Sequence, residues 1–85
     1  MAISAFGEKV RTDELTVAYR FSDNFKRGWD GVLVIPFGEL GSWYVEGDED
    51  RSPEDRHPIA RIVFGRAYRR HKQTGQWPER VSYYA

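Results

Sequence analysis

The sequence contains no cysteine, and it carries no excess of either charge. Without cysteine, neither a disulfide nor a thiolate metal site can stabilise the fold, which is typical of proteins from a reducing compartment. We therefore predict a cytoplasmic location. The formal net charge is zero because 13 basic side chains are balanced by 13 acidic ones. Dedicated nucleic-acid-binding domains of this size usually carry an excess of bases, so this balance argues against such a role.

Long hydrophobic runs are also missing. No stretch approaches the ~20 apolar residues that span a bilayer, so we predict no membrane segment. The first residues, MAISAFGEKVR, lack the basic start and apolar core of a signal peptide. With no repeat and no linker, residues 1–85 are predicted to form a single domain. Aromatic residues make up 15% of the chain and are expected to supply much of its core.

Catalytic and ligand-binding motifs are absent from the sequence as well. No serine lies in a G-x-S-x-G elbow, and the GELG segment at 38–41 lacks the Lys-Ser/Thr that completes a phosphate-binding loop. His57 and His71 have no closely spaced ligand partner, which disfavours a zinc site. We therefore predict no enzymatic activity, no catalytic residue, no metal, no cofactor and no small-molecule substrate. His71 is expected to be a packed, hydrogen-bonded residue at the rim of the core.

What is present predicts several β-strands. Residues 15–21 (LTVAYRF) alternate between apolar and polar positions, with Leu15 on the apolar side, which is typical of a half-buried strand. The continuous apolar run at 32–35 predicts a central strand covered on both faces. Residues 42–46 are expected to return beside it as a hairpin, and 80–84 to close the sheet. Residues 1–10 are predicted to hold an additional edge strand.

One main helix is predicted from about residue 58 to residue 74. Pro58 suits the first turn, Gly75 supplies a stop and Pro78 prevents continuation. A short turn at 53–56 precedes it. The fold class is therefore α+β, with an antiparallel sheet of four or five strands and the helix (about 58–74) packed on one face. Trp77 is expected to fold back on the helix end, and the other tryptophans to pack in the core or at its rim.

The outer face of this helix is the candidate partner-binding surface. A helical wheel places six residues there: Arg61, Ile62, Gly65, Arg66, Arg69 and Lys72. Ile62 is expected to be exposed among the charges, and a glycine in mid-helix costs about 1 kcal/mol relative to alanine. Two interpretations stay open: either these are ordinary surface residues, or Ile62 anchors a partner whose backbone Gly65 admits. Arg70 is placed beside Ile59, with its charged end turned towards solvent.

An acidic segment precedes the helix. Six carboxylates lie between Glu46 and Asp55, opposite in charge to the basic end of the helix, and this distribution complements the helix dipole. The segment is a second candidate surface, for a basic partner or for a weakly bound divalent cation.

Two functional hypotheses follow. The first is a small non-catalytic interaction module that binds another protein, or a second copy of itself, through the outer face of the helix. An inhibitor, immunity-type or accessory role would suit its size. The alternative is a nucleic-acid-binding accessory protein that uses the same arginines to contact phosphates.

Overall fold

Five antiparallel strands and one long helix make up the part of the chain, residues 4–23, 28–47 and 57–84, that the computed structural model describes. In chain order the elements are β1 (Ser4–Thr12), β2 (Thr16–Ser22), β3 (Gly31–Pro36), a 3-10 turn (Leu40–Ser42), β4 (Tyr44–Val45), α1 (Pro58–Thr74) and β5 (Arg80–Tyr84). The helix contacts four of the strands, β1, β2, β3 and β5. This architecture confirms the predicted α+β fold with a five-stranded antiparallel sheet.

The order of strands in the sheet is β4-β3-β2-β1-β5. β1 is therefore an internal strand that pairs with β2 on one side and β5 on the other, and its prediction as an edge strand was wrong. The position of β1 depends on pairing between Ser4 and Tyr84, at opposite ends of the described chain. No local pattern carries that information, because register between distant strands is fixed by the fold as a whole.

The core lies between the helix and the sheet. Alternate residues of β2 and β3 are completely buried there, including Tyr19, Phe21 and Leu33, and the helix contributes Ala60, Val63 and Ala67. Val34, on the opposite face of β3, is buried as well. The prediction that residues 32–35 are covered on both faces is therefore confirmed at Val34, whereas Val32 on the same face is half-buried.

Two predicted strands have different limits in the structure. Leu15 lies in the β1–β2 turn and is 75% exposed, so its predicted place on the buried face was wrong. The Asp13 carboxylate accepts hydrogen bonds of 2.8 Å from the backbone N–H groups of Leu15 and Thr16. These two bonds lower the pKa of Asp13. The returning strand is limited to Tyr44–Val45, because the residues before it form the 3-10 turn.

The helix begins and ends where the sequence predicts. At its start His57 Nδ1 accepts a hydrogen bond of 3.2 Å from the N–H of Ile59, and Pro58 occupies the first turn. At its end Gly75 adopts a left-handed conformation (φ 80°) and donates its N–H to the carbonyl of His71 at 2.7 Å. Glycine adopts this conformation without the strain that a Cβ atom causes. The predicted turn at 53–56 and residues 48–55 of the acidic segment lie outside the described residues.

The described ranges contain no helix that is long and apolar enough to cross a membrane.

Candidate functional site: a basic groove

A groove of about 1090 Å³ lies between the last turns of α1 and residues 76–82. We call it the basic groove, because five basic residues and one acidic residue, Glu79, line it. The five cations are Lys9, Arg66, Arg69, Arg70 and Arg80. The groove is therefore a concave surface of positive charge.

Three of these cations come from successive turns of the helix. Arg66 is three residues before Arg69 and four before Arg70, so the three side chains lie on adjacent turns at one flank of α1. The guanidinium of Arg66 lies 5.4 Å from the centre of the Tyr83 ring. This cation–π contact holds Arg66 next to strand β5.

The other two cations lie on β1 and β5 and are partly neutralised. Lys9 Nζ forms an ion pair of 2.8 Å with Glu79 and a longer contact of 3.4 Å with the carbonyl of Trp77. Arg80 Nε lies 3.8 Å from a carboxylate oxygen of Glu8. By contrast, none of the carboxylates in the described ranges pairs with the three helix arginines. Their charge is available to a ligand.

The connection from α1 to β5 is held in place by ring stacking. Trp77 stacks on His71 with ring centres 4.3 Å apart and on Phe37 at 6.1 Å, so the prediction that it folds back on the helix end is confirmed. His71 packs at the rim as expected. Its Nδ1, however, is buried without a hydrogen-bond partner within the described residues, so the predicted hydrogen bond is not made by that atom.

A buried tyrosine of the sheet also holds the connection from α1 to β5 in place. The Tyr19 hydroxyl donates a hydrogen bond of 2.6 Å to the carbonyl of Pro78. Tyr19 is completely buried, and burial raises the pKa of its hydroxyl above the ordinary value. The hydroxyl therefore stays protonated and remains a donor at physiological pH.

The structure divides the six predicted site residues. Arg66 and Arg69 line the basic groove, whereas Arg61, Gly65 and Lys72 are exposed elsewhere on the helix. Ile62 is half-buried and packs against the core, so its expected exposure was wrong. The helix crosses four strands, and its buried arc is wider than the wheel sector assigned to it.

Sequence reasoning did not include three of the five basic groove residues in the site. Arg70 was placed at the edge of the packed face, and its outward orientation could have suggested its role. Lys9 and Arg80 have no local signal, because only the pairing of β1 with β5 brings these two residues together at the groove.

A second, smaller pocket of about 410 Å³ lies on the sheet face opposite the helix. Phe6, Trp29, Arg80 and Ser82 contribute to its lining. Trp29 is 38% exposed, with the guanidinium of Arg20 at 4.4 Å from its ring, so it is less buried than the predicted packing in the core or at its rim. Strand β5 thus separates two concave surfaces, the basic groove and this open-face pocket.

No protein-family model, curated protein or solved structure matches this chain. Within residues 4–23, 28–47 and 57–84 there is also no group of three or more histidine, aspartate or glutamate side chains arranged to hold a metal ion. The charged groups at the groove are mainly arginine guanidinium groups, which form charge-assisted hydrogen bonds with anions.

Proposed function

We propose that the protein is a small non-catalytic interaction module that binds an acidic segment of a protein partner in the basic groove. The observation that carries this proposal is the set of three helix arginines, Arg66, Arg69 and Arg70, directed at a concavity without carboxylate partners in the described part of the chain. Arginine forms bidentate, charge-assisted hydrogen bonds with carboxylates, and these are the strongest polar contacts available at a protein surface.

The overall charge supports a protein partner more than a nucleic acid. With a formal net charge of zero, the molecule has little long-range attraction for a polyanion. The arginines line a short groove that is closed on one side by residues 76–82. A phosphate backbone binds better to a long continuous stripe of basic residues. An inhibitor, immunity-type or accessory role in the cytoplasm is compatible with this proposal.

The test is fluorescence anisotropy with two labelled probes, an oligoglutamate peptide and an oligothymidylate of similar charge, at physiological salt. Arg66→Glu/Arg69→Glu should weaken binding of the peptide at least about tenfold, because it reverses two of the uncompensated charges. Lys72→Glu is the matched control: it lies in the same last turns of the helix, outside the groove, and should change affinity less than about twofold.

Three outcomes would overturn the proposal. They are equal losses for the groove variant and the Lys72 control, binding of oligothymidylate in preference to the peptide, and no binding of either probe. Preference for oligothymidylate, with affinity falling log-linearly with salt, would establish the nucleic-acid alternative instead.

A further inference from the structure

We infer that the acidic segment binds as an extended strand that pairs with the free edge of β5, with its acidic side chains at alternate positions. This inference rests on the proposed function and specifies the conformation and sequence pattern of the partner. It follows from the backbone of β5, from the two surfaces beside that strand and from their charges.

The hydrogen-bonding direction of β5 follows from its pairing with β1. The N–H of Lys9 donates to the carbonyl of Glu79 at 2.8 Å, so these two residues form a hydrogen-bonded pair. Such pairs alternate along an antiparallel ladder. Val81 and Tyr83 therefore bond to β1 as well. Between them, Arg80, Ser82 and Tyr84 direct their N–H and C=O groups away from β1.

This outer edge is open in the described part of the chain. β5 pairs there with β1 alone, in a register without a bulge, and its five residues contain no proline. Proteins usually protect exposed sheet edges with a bulge or a proline, or keep the edge strand very short. The opposite edge of the sheet follows that rule, since β4 has only two residues. β5 is the edge able to receive an added strand.

An added strand would place its side chains alternately into the two surfaces that β5 separates. Neighbouring strands lie about 4.8 Å apart, and successive side chains point to opposite faces. Every second side chain would then face the helix arginines in the basic groove. The others would face the open-face pocket, where Phe6 and Trp29 offer apolar contacts. The pattern that fits is acidic and apolar residues in alternation.

Charge selects a different protein over a second copy of this chain. Pairing of β5 with β5 of a second copy would add a second set of helix arginines to the same sheet and no complementary charge. Like charges brought together across strands are destabilising. An acidic strand supplies the complementary charge, and backbone pairing of this kind is a common mode of peptide recognition.

The first experiment compares two peptides of identical composition, one with glutamate and valine in strict alternation and one with all the glutamates in a single block. Anisotropy should show at least about tenfold tighter binding of the alternating peptide. Two further peptides carry N-methyl groups on every second amide, one at the odd positions and one at the even positions. One of these two N-methylation phases should remove binding and the other should leave it nearly unchanged, because only one set of amides faces β5.

The second experiment changes the protein edge. Ser82→Pro removes an outward N–H without removing a bond to β1, and proline is tolerated at such edge positions. It should weaken binding of the alternating peptide at least about tenfold, whereas Ser82→Ala should leave it nearly unchanged. The N-methylated peptides keep the inference testable if Ser82→Pro does not fold.

Equal affinity for both peptides, or equal effects of both N-methylation phases, would overturn strand addition. Weakening of oligoglutamate binding by Arg66→Glu/Arg69→Glu would still support the proposed function in that case. Dimerisation of the free protein through β5, detected by sedimentation and abolished by Ser82→Pro, would also overturn the inference, since a second copy would then occupy the edge.

Discussion

At the scale of single residues, Gly7 determines how closely the helix approaches the sheet. An ideal Cβ built on Gly7 would lie only 2.6 Å from Cγ1 of Val63. The surrounding contacts are also small, since Ala5, Ala60 and Ala67 are completely buried. The helix face was predictable from its period. Gly7 was not, because a glycine inside a strand gives no sign of what packs against it.

We expect Gly7→Ala to lower the free energy of unfolding by about 1–3 kcal/mol, because the added methyl overpacks the contact with Val63. The entropic gain from replacing glycine, about 0.4–1 kcal/mol, is smaller than this strain. Urea unfolding measures the change. In a double-mutant cycle, Val63→Ala should cost less in the Gly7→Ala background than in the wild type. Additive effects would show that the two side chains do not compete for the same space.

At the scale of elements, the helix shows how much local chemistry can specify. Its start at Pro58 and its stop at Gly75 were both predicted, because each depends on the conformational preferences of one residue. Gly65 differs from Gly75: it has an ordinary helical backbone, and a Cβ there would meet nothing within 4 Å. The same substitution at these two glycines should therefore have opposite effects.

Gly65→Ala should raise the free energy of unfolding by up to about 1 kcal/mol through helix propensity. Gly75→Ala should lower it by about 1 kcal/mol or more, because alanine is strained at φ 80°. Chemical unfolding of the two variants beside the wild type is sufficient. A further measurement tests the earlier idea that Gly65 admits a partner's backbone: if it does, Gly65→Ala should weaken peptide binding. We expect unchanged affinity.

Elements whose position depends on distant pairing were predicted less well. The alternation of apolar and polar residues in β2 and the apolar run in β3 predicted these two strands and their buried faces. The hairpin of β3 and β4 was predicted, whereas the internal position of β1 and the short length of β4 were missed. The same holds for the candidate site. Arg66 and Arg69 were found because they share a helix, whereas Lys9 and Arg80 become their neighbours only through the register of β1 and β5. Ile62 was misplaced because the wheel ignores the width of the sheet beneath it.

At the scale of the whole molecule, Tyr19 joins the middle of the sheet to the connection that forms one wall of the groove. Its hydroxyl bonds the carbonyl of Pro78 while its ring lies in the core. The shape of the groove thus depends on a residue that no ligand would touch.

Tyr19→Phe should lower the free energy of unfolding by about 1–2 kcal/mol at neutral pH, because the Pro78 carbonyl loses its donor. The folded protein retains the Tyr19 proton to higher pH than the unfolded chain, whose tyrosines ionise near pH 10. Wild-type stability should therefore fall as pH rises above about 10, by up to about 1.4 kcal/mol per pH unit. Tyr19→Phe lacks this contribution. The difference in free energy of unfolding between the wild type and Tyr19→Phe should therefore become smaller in urea titrations at alkaline pH. A difference that does not change with pH would contradict the raised pKa of Tyr19.

The pairing of β1 with β5 has a consequence for the newly synthesised chain. β1 leaves the ribosome before the other strands. Strands β2 to β4 can then assemble along one edge of β1, and the helix can pack on the face of the sheet. Its other edge stays unpaired until the residues of β5 have emerged. During that interval the nascent sheet is exposed to pairing with other chains, a known route to misassembly. Docking of β5 pairs the second edge of β1 and completes the wall of the basic groove in the same step, so the groove does not exist until β1 is paired on both sides.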